Sequence, residues 1–290
     1  MLLRILGVVF PIFIIVLVGY VYGRRNNPEM TVANTLNMEI FLPALIFSAL
    51  AGKTFNLVAN LPITVGALPV ILGSGVLAWP LARLFGYDPK TLVPPVMFNN
   101  CGNMGIPLLL LAYGDQALGA GVIFLLVSTL LQFLIVPWLV NGRLQLGTLW
   151  REPFVLAALL GVVVSVGGVP VWAPLMTAVR VLGDISLGLM IFSLGVRLSN
   201  TPMNAWKIGT VGAIATPLTG MLIAWAYGVL AGLKPLDQDM LFIFGALPPA
   251  VTNFIFAERY KQEPDKVASI VMIGNAASLF FVPLALAMRL

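Results

Sequence analysis

The sequence predicts an all-α polytopic membrane protein: ten transmembrane helices in two halves of five, related as an inverted repeat. Three observations carry that prediction. The chain of 290 residues is 60% hydrophobic and 9% charged, with a mean hydropathy of +1.01, whereas roughly a quarter of a soluble domain is charged. Its apolar stretches approach the ~20 residues that a helix needs to cross a bilayer, and they do not alternate as barrel strands would. Finally, the two halves echo each other at an offset of about 145 residues.

Taken in order, the spans fall at 5–22, 33–50, 61–84, 92–113, 117–140, 153–166, 171–196, 208–233, 240–257 and 268–288. The first begins after Arg4 and meets no small-residue cleavage site before Arg24, so it reads as a span and not as a removed signal. The sixth is short. The chain divides into a first repeat, 1–140, a cytoplasmic linker, 141–152, and a second repeat, 153–290. Loops after odd-numbered spans carry eleven basic residues, among them Arg24, Arg25, Arg143, Arg151, Lys261 and Lys266. The opposite side has Arg4, Lys53, Lys234 and Arg289, and Arg180 falls within or near span seven. Basic loops stay in the cytoplasm, which places both termini outside it. The net charge of +5 is scattered singly over these loops, so it serves orientation and not nucleic-acid binding.

The repeat rests on matches in constant order. Glu39-Ile40-Phe41-Leu42 falls on Asp184-Ile185-Ser186-Leu187, and Ile46-Phe47-Ser48 on Ile191-Phe192-Ser193. Tyr113 falls on Tyr260, Pro137 on Pro283, Pro11 on Pro153 and Gly19 on Gly161. An odd number of spans per half forces the halves into opposite orientation, as in secondary carriers.

Spans four and nine are interrupted at corresponding places. One carries Asn99-Asn100-Cys101-Gly102-Asn103-Met104-Gly105-Ile106-Pro107, the other Gly245-Ala246-Leu247-Pro248-Pro249-Ala250-Val251-Thr252-Asn253. Pro and Gly weaken a helix, and Asn needs partners where there is no water. Such breaks are tolerated at membrane depth where protein or a wet cavity covers them. Half-helices starting near Pro107 and Pro249 expose unpaired N–H groups and positive dipole ends, which attract a carboxylate without a buried Lys or Arg. The candidate substrate-binding residues are therefore Asn100, Asn103, Met104, Gly105 and Pro107 on one break, and Pro248, Pro249, Thr252 and Asn253 on the other. For the Asn and Thr side chains the competing duty is to satisfy backbone freed by the break. Asn99 and Cys101 are weaker candidates, and Gly102 and Gly105 also suit close packing.

Glu39 and Asp184 are the carboxylates placed in or near spans two and seven. Buried, they serve proton coupling or gating; at an interfacial helix end they are simply solvated, and Asp184 can pair with Arg180 one turn earlier. Gln132 and Ser128 in span five, with Asn275 and Ser278 in span ten, either line a cavity or bond between helices. Coupling to H+ uses the carboxylates, and coupling to Na+ uses carbonyls, Asn and Thr at the breaks.

No His and one Cys leave no multi-cysteine metal site and no intrachain disulfide. No nucleophile stands beside a plausible base, so neither enzyme nor cofactor is expected. The expected function is a secondary transporter of small organic anions such as mono- or dicarboxylates. An anion receptor or channel is the alternative.

Several segments resemble the auxin efflux carrier family, which includes plant carriers and bacterial relatives associated with malate or malonate. Asn100 with Met104-Gly105-Ile106-Pro107-Leu108-Leu109 is similar to its fourth span. Leu247-Pro248 and Phe254-Ile255-Phe256-Ala257 with Tyr260 are similar to its ninth, Asp184 with Leu187-Gly188 and Phe192-Ser193-Leu194-Gly195 to its seventh, and Phe41-Leu42-Pro43 to its second. The resemblance implies that broken helices four and nine cross, with the ligand carboxylate between Pro107 and Pro249. It further implies elevator-like movement, a homodimer, and a place in the bacterial inner membrane. The plant carriers have an Asp and a Lys four residues apart in span three, where this chain has Asn60 and Thr64. That departure points away from auxin and leaves the small-anion reading.

Overall fold

The structure is a computed structural model that describes residues 2–52, 58–142, 152–200 and 204–289. Lys53, Arg143 and Arg151, used above to orient the chain, and most of the expected linker lie outside the described residues. All regular structure among the described residues is helical: α1 Leu2–Asn26, α2 Thr31–Leu36, α3 Leu42–Leu50, α4 Leu61–Leu84, α5 Pro89–Met97, α6 Ile106–Tyr113, α7 Leu118–Asn141, α8 Pro153–Val166, α9 Ala173–Asn200, α10 Trp206–Leu230, α11 Pro235–Ala246, α12 Thr252–Tyr260 and α13 Pro264–Ala287. A π-helical turn, Asn37–Phe41, joins α2 to α3, and a second, Cys101–Gly105, leads into α6.

Among the described residues, seven continuous helical stretches are long and apolar enough to cross a membrane. These are α1, the α2–α3 stretch, α4, the stretch ending in α7, α9, α10 and α13. The other three expected spans are the two interrupted ones and α8, which has 14 residues. Several helices keep proline inside, as α4 does with Pro69 and Pro80, which neighbouring helices permit in a membrane protein. Large apolar side chains such as Leu3, Phe10, Val76 and Leu230 face outward, as a lipid surround requires.

Two groups of helices emerge from the packing. In the first, α1 lies along α9, and α3 packs on α8 and α9. The α1–α9 approach is close enough that a Cβ on Gly195 would lie 2.1 Å from the Val16 carbonyl oxygen and one on Gly19 2.3 Å from that of Phe192. Small residues at such crossings let backbones meet where lipid supplies no hydrophobic drive. In the second group, α10 packs on α13, α11 and α4, and α4 packs on α5 and α7. Phe124 and Phe244 stack inside it with centroids 4.4 Å apart. Contacts between the groups are sparser. Two apolar clusters bridge them: one joins Leu45, Ile46 and Met190 of the first group to Ile106 and Val122 of the second, and a larger one joins Ile5, Val8, Ile191 and Leu194 of the first to residues such as Leu108 and Phe244 of the second.

Candidate functional site

The two interruptions lie against each other within the second group. Helix α5 ends at Met97, and Phe98 turns extended with φ −105° and ψ 102°. Helix α11 ends at Ala246, and Leu247 is extended with φ −64° and ψ 146°, as the clash with the following Pro248 dictates. The extended connectors pair as one antiparallel bridge between Asn99 and Pro249. The Asn100 N–H donates to the Pro248 carbonyl at 2.7 Å, and the Ala250 N–H to that of Phe98 at 2.8 Å. Each break thus uses the other to satisfy backbone that would otherwise be orphaned in a medium without water.

Side chains complete the stitching. Asn99 Nδ2 donates to the Phe244 carbonyl at 2.9 Å. Asn253 Nδ2 donates to the carbonyls of Phe98 at 3.0 Å and Ala250 at 2.9 Å. Asn100 Nδ2 donates to Asn275 Oδ1 at 3.0 Å, and Asn275 Nδ2 to the carbonyls of Pro249 at 3.0 Å and Val271 at 2.8 Å. Gln132 of α7 donates to Asn253 Oδ1 at 2.8 Å and accepts from the Thr252 hydroxyl at 2.8 Å. One atom stays out of this network: Asn99 Oδ1 is buried and has no hydrogen-bond partner among the described residues.

Beside the breaks is a cavity of about 330 Å³ lined by Asn99, Asn100, Gly102, Asn103, Val251 and Thr252 on their side. Leu125, Phe133, Phe154, Met190 and Ile255 make its walls mainly apolar. Met190 and Phe154 belong to the first helix group and the breaks to the second, so the cavity lies between the groups. Four backbone N–H groups among its lining residues, those of Gly102, Asn103, Val251 and Thr252, make no hydrogen bond within the described residues. They belong to the first turns of the two helical segments that follow the breaks, where orphan donors and positive dipole ends are inherent. A preorganised anion cradle needs those features and no titratable cation.

The expected start points shift. Helical backbone begins at Cys101, as a π turn capped by Asn100, six residues before Pro107. Pro107 is the second residue of α6, a place where its missing N–H is harmless. It is buried within the helix and does not line the cavity. The second half-helix begins at Thr252, while Pro248 and Pro249 stay in the extended connector. Of the nine candidate binding residues, Asn100, Asn103 and Thr252 line the cavity, and Met104, Gly105, Pro107, Pro248, Pro249 and Asn253 do not. Gly105 serves close packing: a Cβ there would lie 2.8 Å from Leu247 Cδ1.

The two carboxylates are also placed differently from a buried relay. Glu39 and Asp184 are both exposed. Asp184 lines a separate cavity of about 280 Å³ with Arg180, Asn60 and Asp115, and no ion pair joins it to Arg180. The buried polar pair in this region is Asn37 with Ser186, two residues from each carboxylate; the Ser186 hydroxyl donates to Asn37 Oδ1 at 2.8 Å. Neutral groups take the interior and charged ones turn out, because a buried charge costs far more than a bonded amide. Gln132 and Asn275 act as inter-helix bonds, and Gln132 also lines the main cavity. Sequence reasoning missed the accepting carbonyls of Phe98 and Phe244 and the cavity charges Glu152 and Arg259. The positions of Thr252, Ile255 and Arg259 on one helical face were the available signal for the last.

The family described as "Membrane transport protein" matches residues 4–147 and 142–286. Auxin efflux carrier component 6 of Arabidopsis thaliana is 28% identical over 136 residues, covering 44% of this chain and 24% of that protein. Probable auxin efflux carrier component 1c of Oryza sativa is 27% identical over 154 residues, covering 49% of this chain and 26% of that protein. The uncharacterized transporter YfdV of Escherichia coli is 24% identical over 287 residues, covering 90% of each. The chain thus spans about a quarter of the plant relatives it matches and nine tenths of the bacterial one.

Proposed function

The chain belongs to the membrane transport protein family, and on that premise we propose that it is a secondary carrier of small organic anions whose site is the paired breaks. The observation that carries this reading is the set of four unbonded N–H groups, two from each break, among the residues lining one cavity. A carboxylate there gains charge-assisted bonds without displacing any bond already made, and the apolar walls take its carbon body.

The family resemblance and the packing together support the finer mechanism. Ten spans are reached by counting α5–α6, α8 and α11–α12 with the seven continuous stretches. Shifting by five spans maps the α1–α9 contact onto α8 with α2–α3, and α4–α10 onto itself, as an inverted repeat demands. We read α1, α2–α3, α8 and α9 as a scaffold, with the second group carrying the breaks past it in an elevator movement, helices four and nine crossing at the bridge. The main cavity contains Glu152 and Arg259, residues of loops expected in the cytoplasm, so this state is read as inward-open. A homodimer in a bacterial inner membrane, both termini outside the cytoplasm, completes the reading. As for coupling, H+ finds no carboxylate at the breaks, and the carbonyls of the bridge itself, those of Phe98, Pro248, Pro249 and Ala250, are already bonded.

Tracer counterflow in proteoliposomes tests the proposal. Preloaded unlabelled carboxylate is expected to drive transient uptake of the labelled species above equilibrium. Absence of counterflow with ligand binding retained would make the protein a receptor, and currents far above carrier turnover would make it a channel.

A further inference from the structure

The main cavity has one feature that a site for any small anion does not need. Among its lining residues only Arg259 and Glu152 are charged, and no ion pair joins them or ties either to another residue among the described ones. Arg259 lies in the last turn of the same short helix whose N-cap and first residue supply the Val251 and Thr252 N–H groups. Thr252, Ile255 and Arg259, spaced at i, i+3 and i+7, share one face of α12, and all three line the cavity. One helix therefore offers an anion cradle at its start, an apolar step, and a guanidinium toward its end. Glu152 precedes α8 in the other helix group, so its distance to the cradle is not fixed by one rigid element, whereas that of Arg259 is.

We infer that α12 is a ruler for α,ω-dicarboxylates with an apolar spacer, and that Arg259 is the specificity-determining residue for the second carboxylate. This rests on the carrier reading above. Seven residues of helix separate Thr252 from Arg259 by about 10 Å along the axis. A helical side chain leans back toward the N-terminus, which leaves roughly 5–9 Å between the two carboxylate positions. An extended chain gains about 1.25 Å per C–C bond, so diacids of about five to eight carbons fit, while malonate is too short. The methylene groups lie along Ile255, Phe133 and Leu125, and the distal carboxylate meets the planar fork of Arg259.

The test is a competition panel in the same counterflow assay, using malonate, hexanoate, adipate and 6-aminohexanoate. Adipate is expected to compete at least tenfold better than malonate or hexanoate. Arg259→Gln should raise the KM for adipate tenfold or more, leave hexanoate within twofold, and so erase the preference; Arg259→Lys should restore part of it. Unchanged hexanoate transport also reports that the variant is folded. Equal adipate and hexanoate preference in the wild type, or an unaltered adipate KM in Arg259→Gln, overturns the ruler while leaving the carrier intact. A preference for 6-aminohexanoate overturns it in favour of Glu152. No counterflow of any carboxylate by the wild type defeats the carrier reading itself.

Discussion

The Asn100 side-chain amide donates to the Asn275 side-chain oxygen at 3.0 Å, and Asn275 passes its own amide to the Pro249 carbonyl at 3.0 Å. Through these two bonds a residue of α13 holds both breaks at once. Asn275 does not line the main cavity, so its role is positioning. Asn275→Ala leaves the Asn100 amide and one bond of the Pro249 carbonyl unmade. Each buried orphan costs about 1–3 kcal/mol, the lower end applying to Asn100, which borders the cavity. The variant should melt several degrees lower in detergent, whereas Thr177→Ala, which removes an exposed bond to the Ala173 carbonyl, should not. A melting temperature for Asn275→Ala within a degree of wild type would sink the claim.

Asn100 differs from its partner in facing the cavity as well as the bond. Asn100→Ala should therefore lose stability like Asn275→Ala and lose saturable uptake in addition. The comparison to make is uptake by the two variants at a temperature where both are folded. Saturation with a wild-type KM in Asn100→Ala would remove this side chain from the substrate site.

On the face expected to be cytoplasmic, Glu263 accepts from the Thr91 hydroxyl at 2.6 Å and from Lys266, and Gln262 donates to Asp88 at 2.9 Å. This clasp ties the start of α5 to the turn between α12 and α13. Partial burial raises the Glu263 carboxyl, but the bonds from Lys266 and Thr91 together outweigh it and hold it below the usual carboxylate range. A carboxyl lowered on folding contributes stability that is present above its unfolded pKa, about 4.3, and is lost as pH falls through the lower folded value. The melting-temperature gap between wild type and Glu263→Gln should be open at pH 7 and closed in strong acid. Because Glu263 is 36% exposed, the gap should be small and shrink with salt. An identical gap at both pH values would rule out the charge as its source.

The breaks were legible because their residues act locally. Pro248 forbids a helical Leu247 whatever surrounds it, and a run of Asn and Gly inside an apolar span has few other uses. The helix starts were not, because the π turn at Cys101–Gly105 depends on its pairing with the other break. The repeat offset pointed to the right neighbourhood in α2–α3 and α9 but to the wrong side chains. Composition distinguishes Glu39 from Asn37 by charge, and only packing decides which of them turns inward. Arg259 read as one more basic loop residue until Thr252 and Ile255 were seen to share its cavity.

Sodium coupling at the breaks meets a specific obstacle. The carbonyls of Phe98, Phe244, Pro248, Pro249 and Ala250 each accept from an N–H or an amide of the protein. A bare cation needs several oxygen ligands free to turn toward it, and recruiting these would break the bonds that hold the two breaks together. The unpaired backbone groups of the cavity-lining residues Gly102, Asn103, Val251 and Thr252 are donors, whereas the carbonyls of Met97, Ala246 and Leu247, which accept no bond within the described residues, belong to residues that do not line the cavity. Uptake of a labelled dicarboxylate should therefore be unchanged when choline replaces sodium, and should respond instead to an imposed membrane potential, since the one guanidinium at the site, that of Arg259, does not offset both charges of a dicarboxylate. A sigmoidal sodium dependence of initial rate would show that the carbonyls do rearrange, and would place the coupling ion where the bonds now lie.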